Sequence, residues 1–386
     1  MRQPSCKTRA APVWPVAPTL LSLAMALAPG VALADDDGPV TTAHLLASWD
    51  PSPDLVIPTV LVLGLYGLGL ARRPGALDER PWRHAAFFWG VMAVFLSLVS
   101  PLDAFSDHLF FVHQIQHMLL REVGPMLIAL SQPQALLIAG LPAGLKRRAV
   151  TPLLTAGATR GVFGFLTRPV PVTAIFLASL YVWQWPPLHN RAILDEGVHY
   201  VMHVTMLAAG LLFFWRVFDH RPMPQGTPYG TRLMMLWIAV LANIPIGAYT
   251  TFKSRVLYPA YAVVGRPFAI SPIADERLGG FIMWAPCSMM MLFAVLLVVN
   301  AWARHEARID DRRIAAGAAW PHPTPATAEA LIAQQRPKNR ALALGLCAFA
   351  ACILAATVTV GLLVMHGRMG LVTGARETAM VQRPVG

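Results

Sequence analysis

Two histidines, His113 and His117, stand four residues apart inside the apolar run from Leu109 to Leu130. At that spacing they share one face of a helix, and Arg121 extends the face by another turn. Glu196, His199 and His203 open a second apolar run at the same helical spacing. Imidazole nitrogens bind copper, zinc, iron and haem iron. Two pairs on facing helices supply up to four of them. A polar stripe of this kind is expensive in lipid and calls for a reason. The plainer reading is that these rings hydrogen-bond between helices or line a wet cavity.

A further stripe recurs every four residues: Asp275, Gly279, Met283, Cys287 and Met291, with Met290 beside it. Thioether and thiol are soft ligands that suit Cu(I), and zinc has no need of them. Ordinary packing explains the same pattern, with Gly for close approach and Met and Cys as apolar filler. Arg121 and Glu122 are adjacent, and adjacent residues diverge around a helix. Arg121 is therefore expected to answer a carboxylate on another helix or a haem propionate, or to tie helices together. Glu196 lies one turn from His199 and either orients that ring or favours the helix N-terminus.

The elements that must position these groups are membrane helices. The chain has 386 residues, of which 56% are hydrophobic and 13% charged, and its mean hydropathy is +0.53. That composition describes an all-α polytopic membrane protein. The formal net charge of +11 then reflects cytoplasmic Lys and Arg, with no nucleic-acid-binding pattern. Residues 1–34 read as a secretory signal: basic Arg2, Lys7 and Arg9, an apolar stretch, then Ala32-Leu33-Ala34 before Asp35. An uncleaved first helix is the alternative. Cys6 would leave with the signal. Cys287, Cys347 and Cys352 lie in apolar runs, so no disulfide framework is visible.

Seven helices are expected at about 54–71, 84–100, 109–130 with a bend at Gly124-Pro125, 169–185, 197–217, 232–251 and from Asp275 to about 302. The segment 131–168 is expected inside, partly as amphipathic helix on the membrane surface. Trp183-Gln184-Trp185 reads as an aromatic belt. A hydrophilic cytoplasmic linker, 306–340, leads to an extra transmembrane helix within 341–386. Inner segments 72–83, 131–168, 216–232 and 303–340 hold 4, 5, 3 and 7 Lys or Arg, against five in the outer loops between helices. This bias orients the chain. It places both His pairs and Asp275 in the outer third of the bilayer.

In order along the chain, His113-Gln-Ile-Gln-His117, His199-Tyr-Val-Met-His203, Leu257-Tyr258-Pro259-Ala260-Tyr261 and Ser271-Pro272-Ile273-Ala274-Asp275 precede Leu278-Gly279-Gly280-Phe281-Ile282-Met283-Trp284. They resemble the seven-helix CtaG-type family of bacterial cytochrome c oxidase assembly factors over roughly residues 44–305. Two departures stand out. Asp275-Glu276-Arg277 replaces Asp-Gln-Gln, and Trp183-Gln184-Trp185 replaces Trp-His, with His189 following. The resemblance implies a multi-pass inner-membrane protein, not an enzyme, that serves subunit I of a haem-copper oxidase by holding and delivering copper at the outer face. Periplasmic copper chaperones are its expected suppliers. On that reading His113, His117, His199 and His203 bind the metal, with Asp275, Met283 and Cys287 as transfer ligands. Three alternatives stay open: a haem b redox protein, a copper or small-solute transporter, and a metal-free scaffold. No P-loop, G-x-S-x-G, C-x-x-C or H-E-x-x-H motif points to turnover.

Overall fold

A computed structural model describes residues 42–315 except 74, 77–79 and 222–224, together with the isolated positions 333, 337, 340 and 344. The signal segment, the extra C-terminal helix, Cys6, Cys347 and Cys352 lie outside the described residues. The chain divides into two compact units, Met1–Ala303 and Arg304–Gly386.

The principal helices are α1 (Pro53–Ala71), α2 (Pro81–Val99), α3 (Phe110–Met118), α4 (Gly124–Ser131), α5 (Pro169–Gln184), α6 (Pro186–Leu194), α7 (Glu196–Val217), α8 (Tyr229–Phe252) and α9 (Pro272–Ala315). A π-helical turn, Leu119–Val123, joins α3 to α4. The described residues form no strand. Among the described residues, five helices are long and apolar enough to cross a membrane, or seven if each of two bent pairs is one span. The chain is an all-α polytopic membrane protein.

The 33 prolines are compatible with so much helix because many stand at helix starts. Pro53, Pro81, Pro101, Pro169, Pro186 and Pro272 each open a helix, where the missing N–H has no helical partner to lose. At the expected bend, Gly124-Pro125, the helix is not broken. The helical path continues to Ser131, and the 75° bend comes between Ser131 and Gln134, where Gln132 takes φ 54°. At Pro125 the chain widens instead into the π turn just before it. A π turn is one way to absorb a residue that lacks an amide and crowds the preceding turn.

Residues 134–140 also differ from the expected surface segment. The Gln134–Gly140 helix packs on α1 at two glycines: a methyl on Gly69 would overlap the Leu136 carbonyl, and one on Gly140 the Leu65 carbonyl. Arg72 donates to the carbonyls of Ala139, Gly140 and Leu141 at 2.7–3.0 Å. A cation there satisfies carbonyls left without partners at a helix C-terminus. Farther along, Gly157–Leu166 has no buried residue and meets α5 at 69°. At the other end of the chain, α9 does not stop near 302 but continues to Ala315. Polarity marks where apolar lining ends, whereas an existing helix extends at one hydrogen bond per residue through good helix formers such as Arg, Glu and Ala.

The large apolar core joins α4, α5, α7, α8 and α9 through Met126, Phe176, Phe213, Phe214, Leu236 and Met291. A smaller aromatic cluster gathers Phe110, Tyr258, Tyr261, Leu180 and Met283. His113 and His117 fall along the chain between Phe110 of this cluster and Met126 of the large core.

Candidate metal centre

Both His pairs face the bundle interior and meet. The ring centroids of His113 and His117 are 4.2 Å apart, and those of His199 and His203 are 4.4 Å apart. Between helices, His113 lies 5.1 Å from His199 and 5.8 Å from His203, and His117 lies 5.6 Å from His203. His113, His117 and His203 each offer a nitrogen within 4.8 Å of the other two. His117 Nδ1, His199 Nε2 and His203 Nε2 are buried without a hydrogen-bond partner. Buried polar atoms normally find partners, so three unpartnered imidazole nitrogens in one cluster fit a shared cation.

The cluster has a fifth ring that the sequence reading left out. His189 of α6 is fully buried, 5.3 Å from His113 between centroids. Its Nδ1 lies 3.0 Å from the Trp183 carbonyl and its Nε2 3.0 Å from the Tyr261 hydroxyl. Tyr261 in turn lies 2.8 Å from His113 Nδ1. His189 is buried with its two nitrogens against a carbonyl and a hydroxyl, and burial without an opposing charge favours the uncharged imidazole and the protonated phenol. The one sequence signal for His189 is that it follows the Trp183-Gln184-Trp185 end of α5, in the place of the histidine expected there.

Asp275, expected as a transfer ligand, is engaged at the start of α3. Its carboxylate accepts the backbone N–H groups of Phe110 (3.2 Å) and Phe111 (3.0 Å) and pairs with Arg266 at 3.2 Å. It thus caps the helix that carries His113, from a neighbouring helix, by satisfying donors left free at an N-terminus. Gly279 lets α9 come this close, because a methyl there would overlap the Phe110 ring. Met283 packs with Phe110, Tyr258 and Tyr261. Cys287 is buried beside Glu122. The four-residue stripe of α9 is its buried face, as spaced: Asp275, Gly279, Met283, Cys287 and Met291.

Arg121 and Glu122 do pair with each other, at 3.1 Å and with both side chains buried. The expectation of divergence assumed an α-helix. The π turn rotates less per residue and brings neighbours toward one side. Arg121 also donates to Ser179 Oγ (3.2 Å) and to the Phe176 carbonyl (2.8 Å), and stacks 3.7 Å over the Phe176 ring. The carboxylate beside His199 is Asp107, 3.6 Å from its Nδ1, while Glu196 is exposed. Trp183 is buried and donates to Thr205 Oγ1 at 2.9 Å, so only Trp185 of the expected belt faces outward.

The two departures from the family pattern have partners. Gln184 donates to Gln114 Oε1 at 2.7 Å and its carbonyl accepts from Tyr258 at 2.9 Å. Glu276 pairs with Lys253 and accepts the amides of Leu257 and Tyr258 at 2.9 Å. Arg277 donates to the Lys253 carbonyl at 2.9 Å. Together these contacts pin the connection between α8 and α9 that carries Tyr258 and Tyr261.

Residues 62–305 match the cytochrome c oxidase caa3 assembly factor family. The chain belongs to that family. It is also similar to uncharacterized proteins of Mycobacterium bovis and Mycobacterium tuberculosis, each 30% identical over 288 residues, covering 71% of this chain and 42% of the relative. A Mycobacterium leprae protein, likewise uncharacterized, is 27% identical over 263 residues, covering 67% and 40%. The chain thus spans about two fifths of the length of these relatives. No solved structure matches it.

Proposed function

We propose that this chain is a cytochrome c oxidase assembly factor of the bacterial inner membrane that holds copper as cargo and passes it to subunit I of a haem-copper oxidase. The donors in this reading are His113, His117, His199 and His203, at the outer side of the membrane. The observation that carries it is the convergence of the two pairs, with nitrogens of His113, His117 and His203 within 4.8 Å of one another. Imidazole binds copper well, but thiolate grips Cu(I) harder. A nitrogen-only set therefore suits a carrier that must release its load. We leave Asp275, Met283 and Cys287 out of the proposed donor set, since they cap α3, pack with aromatic rings and lie beside Glu122. Periplasmic copper chaperones are the proposed source of the ion.

The rings meet edge to face or tilted at 4.2–5.8 Å. That packing suits an ion with bonds of about 2 Å better than a planar macrocycle inserted between the helices.

The test is the metal and haem content of the purified full chain after growth with copper, beside His113→Ala and His203→Ala. About one copper per chain, lost in both variants, with loss of oxidase activity in cells carrying them, supports the reading. A Soret band would move the assignment to a haem protein. Copper uptake into proteoliposomes would move it to a transporter. No bound metal, with full oxidase assembly in the His variants, would leave a scaffold.

A further inference from the structure

The contacts around His113 fix which of its nitrogens carries the proton. A carbonyl only accepts, so His189 Nδ1 must donate to Trp183 (3.0 Å). In neutral His189 the other nitrogen is then an acceptor, and it takes the Tyr261 proton at 3.0 Å. Tyr261 has one proton, already given to His189. Its oxygen must accept from His113 Nδ1 at 2.8 Å. His113 Nε2 is thereby left with its lone pair. That nitrogen lies 2.8 Å from His117 Nε2, so His117 donates there. His117 Nδ1 is then bare, and it is one of the buried nitrogens without a partner. Each assignment forces the next, and the last one accounts for an atom that did not enter the derivation.

We infer that Tyr261 and His189 are positioning residues for the metal centre: they lock His113 as its Nδ1–H tautomer and aim the Nε2 lone pair into the cluster of four histidines. A ligating imidazole commonly has its second N–H held in this way, which fixes ring orientation and raises basicity. Here the holder is a tyrosine backed by a histidine and a main-chain carbonyl. All three lie off the two helices that carry the His pairs: α5 supplies Trp183, α6 supplies His189, and the short helix Ala260–Val263, which follows the segment pinned by Glu276, supplies Tyr261. The affinity half of the inference rests on the copper reading. The tautomer half does not.

Two measurements on the full-length chain separate these halves. Ring 15N NMR of histidine-labelled protein without metal, with the His113 signals assigned by their loss in His113→Ala, reads the tautomer directly. We expect a protonated Nδ1 and bare Nε2 in the native chain, and a shift toward mixed tautomers in Tyr261→Phe. A protonated Nε2 in the native chain, or no change in Tyr261→Phe, overturns the inference. Cu(I) titration against a chromophoric chelator reads affinity. Tyr261→Phe, which keeps the buried ring, is expected to bind about 10- to 100-fold more weakly. Cu(I) affinity in Tyr261→Phe equal to that of the native chain overturns the positioning role. Absence of Cu(I) binding by the native chain overturns the copper reading and the affinity half with it, while the 15N result still decides the tautomer half.

Discussion

Gly210 of α7 rests against the carbonyl oxygen of Arg121, in the place where a side chain would otherwise project. The contact falls in the π turn directly below His117, and four residues on from Arg121 stands Pro125, which has no amide to give that carbonyl. Gly210 is two helical turns from His203, and Arg121 one turn from His117. The close approach of backbones at this point therefore sets how near the two His pairs come.

Gly210→Ala tests that link. A methyl there would overlap backbone, which cannot give as a flexible side chain can. We expect a loss of about 1–3 kcal/mol in thermal unfolding, and weaker metal binding although no proposed ligand is changed. Wild-type affinity in the variant would show that the pairs converge without this contact.

Asp275→Asn addresses the cap on α3. The amide keeps one acceptor but loses the charge, and it leaves Arg266 without its partner. Hydrogen bonds to charged groups contribute roughly 1.5–3 kcal/mol, and a loss in that range is expected. Hydrogen exchange at Phe110 and Phe111 should quicken. Unchanged exchange at these two amides would remove Asp275 from the capping role.

The Arg121–Glu122 pair is buried on both sides. Arg121→Met or Glu122→Gln alone strands the remaining group, at a cost of about 3–5 kcal/mol. The double variant should recover much of that, because neither charge is then left buried alone. A double variant as unstable as the sum of its parents would contradict this account.

Acid should weaken the knot of hydrogen bonds at Asp219. Burial acts to raise its carboxyl, but hydrogen bonds from Arg221 and the Thr227 amide outweigh it and hold the group well below the usual carboxylate range. A folded pKa below the unfolded value of about 3.9 adds stability that is full above that value and fades as pH falls through the folded one. Thermal unfolding from pH 7 to pH 3 should therefore show the gap between the native chain and Asp219→Asn closing below about pH 4. A gap constant with pH would rule this out.

Membrane class, the order of the apolar helices and the His pairs on two of them were legible in the chain itself. They depend on hydropathy and on the 3.6-residue period, which are local properties. The buried face of α9 was legible for the same reason: Asp275, Gly279, Met283, Cys287 and Met291 are spaced to share one side whatever that side meets. What each of these residues touches was not. Asp275 resembles a metal ligand by type and depth, but it became a cap because the N-terminus of α3 reaches it across 165 residues of sequence. Arg121 and Glu122 meet within a π turn next to Pro125, which an α-helical period does not anticipate. His189 and Tyr261 each belong to a short helix, Pro186–Leu194 and Ala260–Val263, too short for a period to mark an inward face. Their meeting at His113 depends on long-range packing of α6, α9 and the connection between α8 and α9. Periodicity determines which side of a helix is buried. Only tertiary structure decides which atoms meet there, because that depends on contacts between residues far apart in the chain.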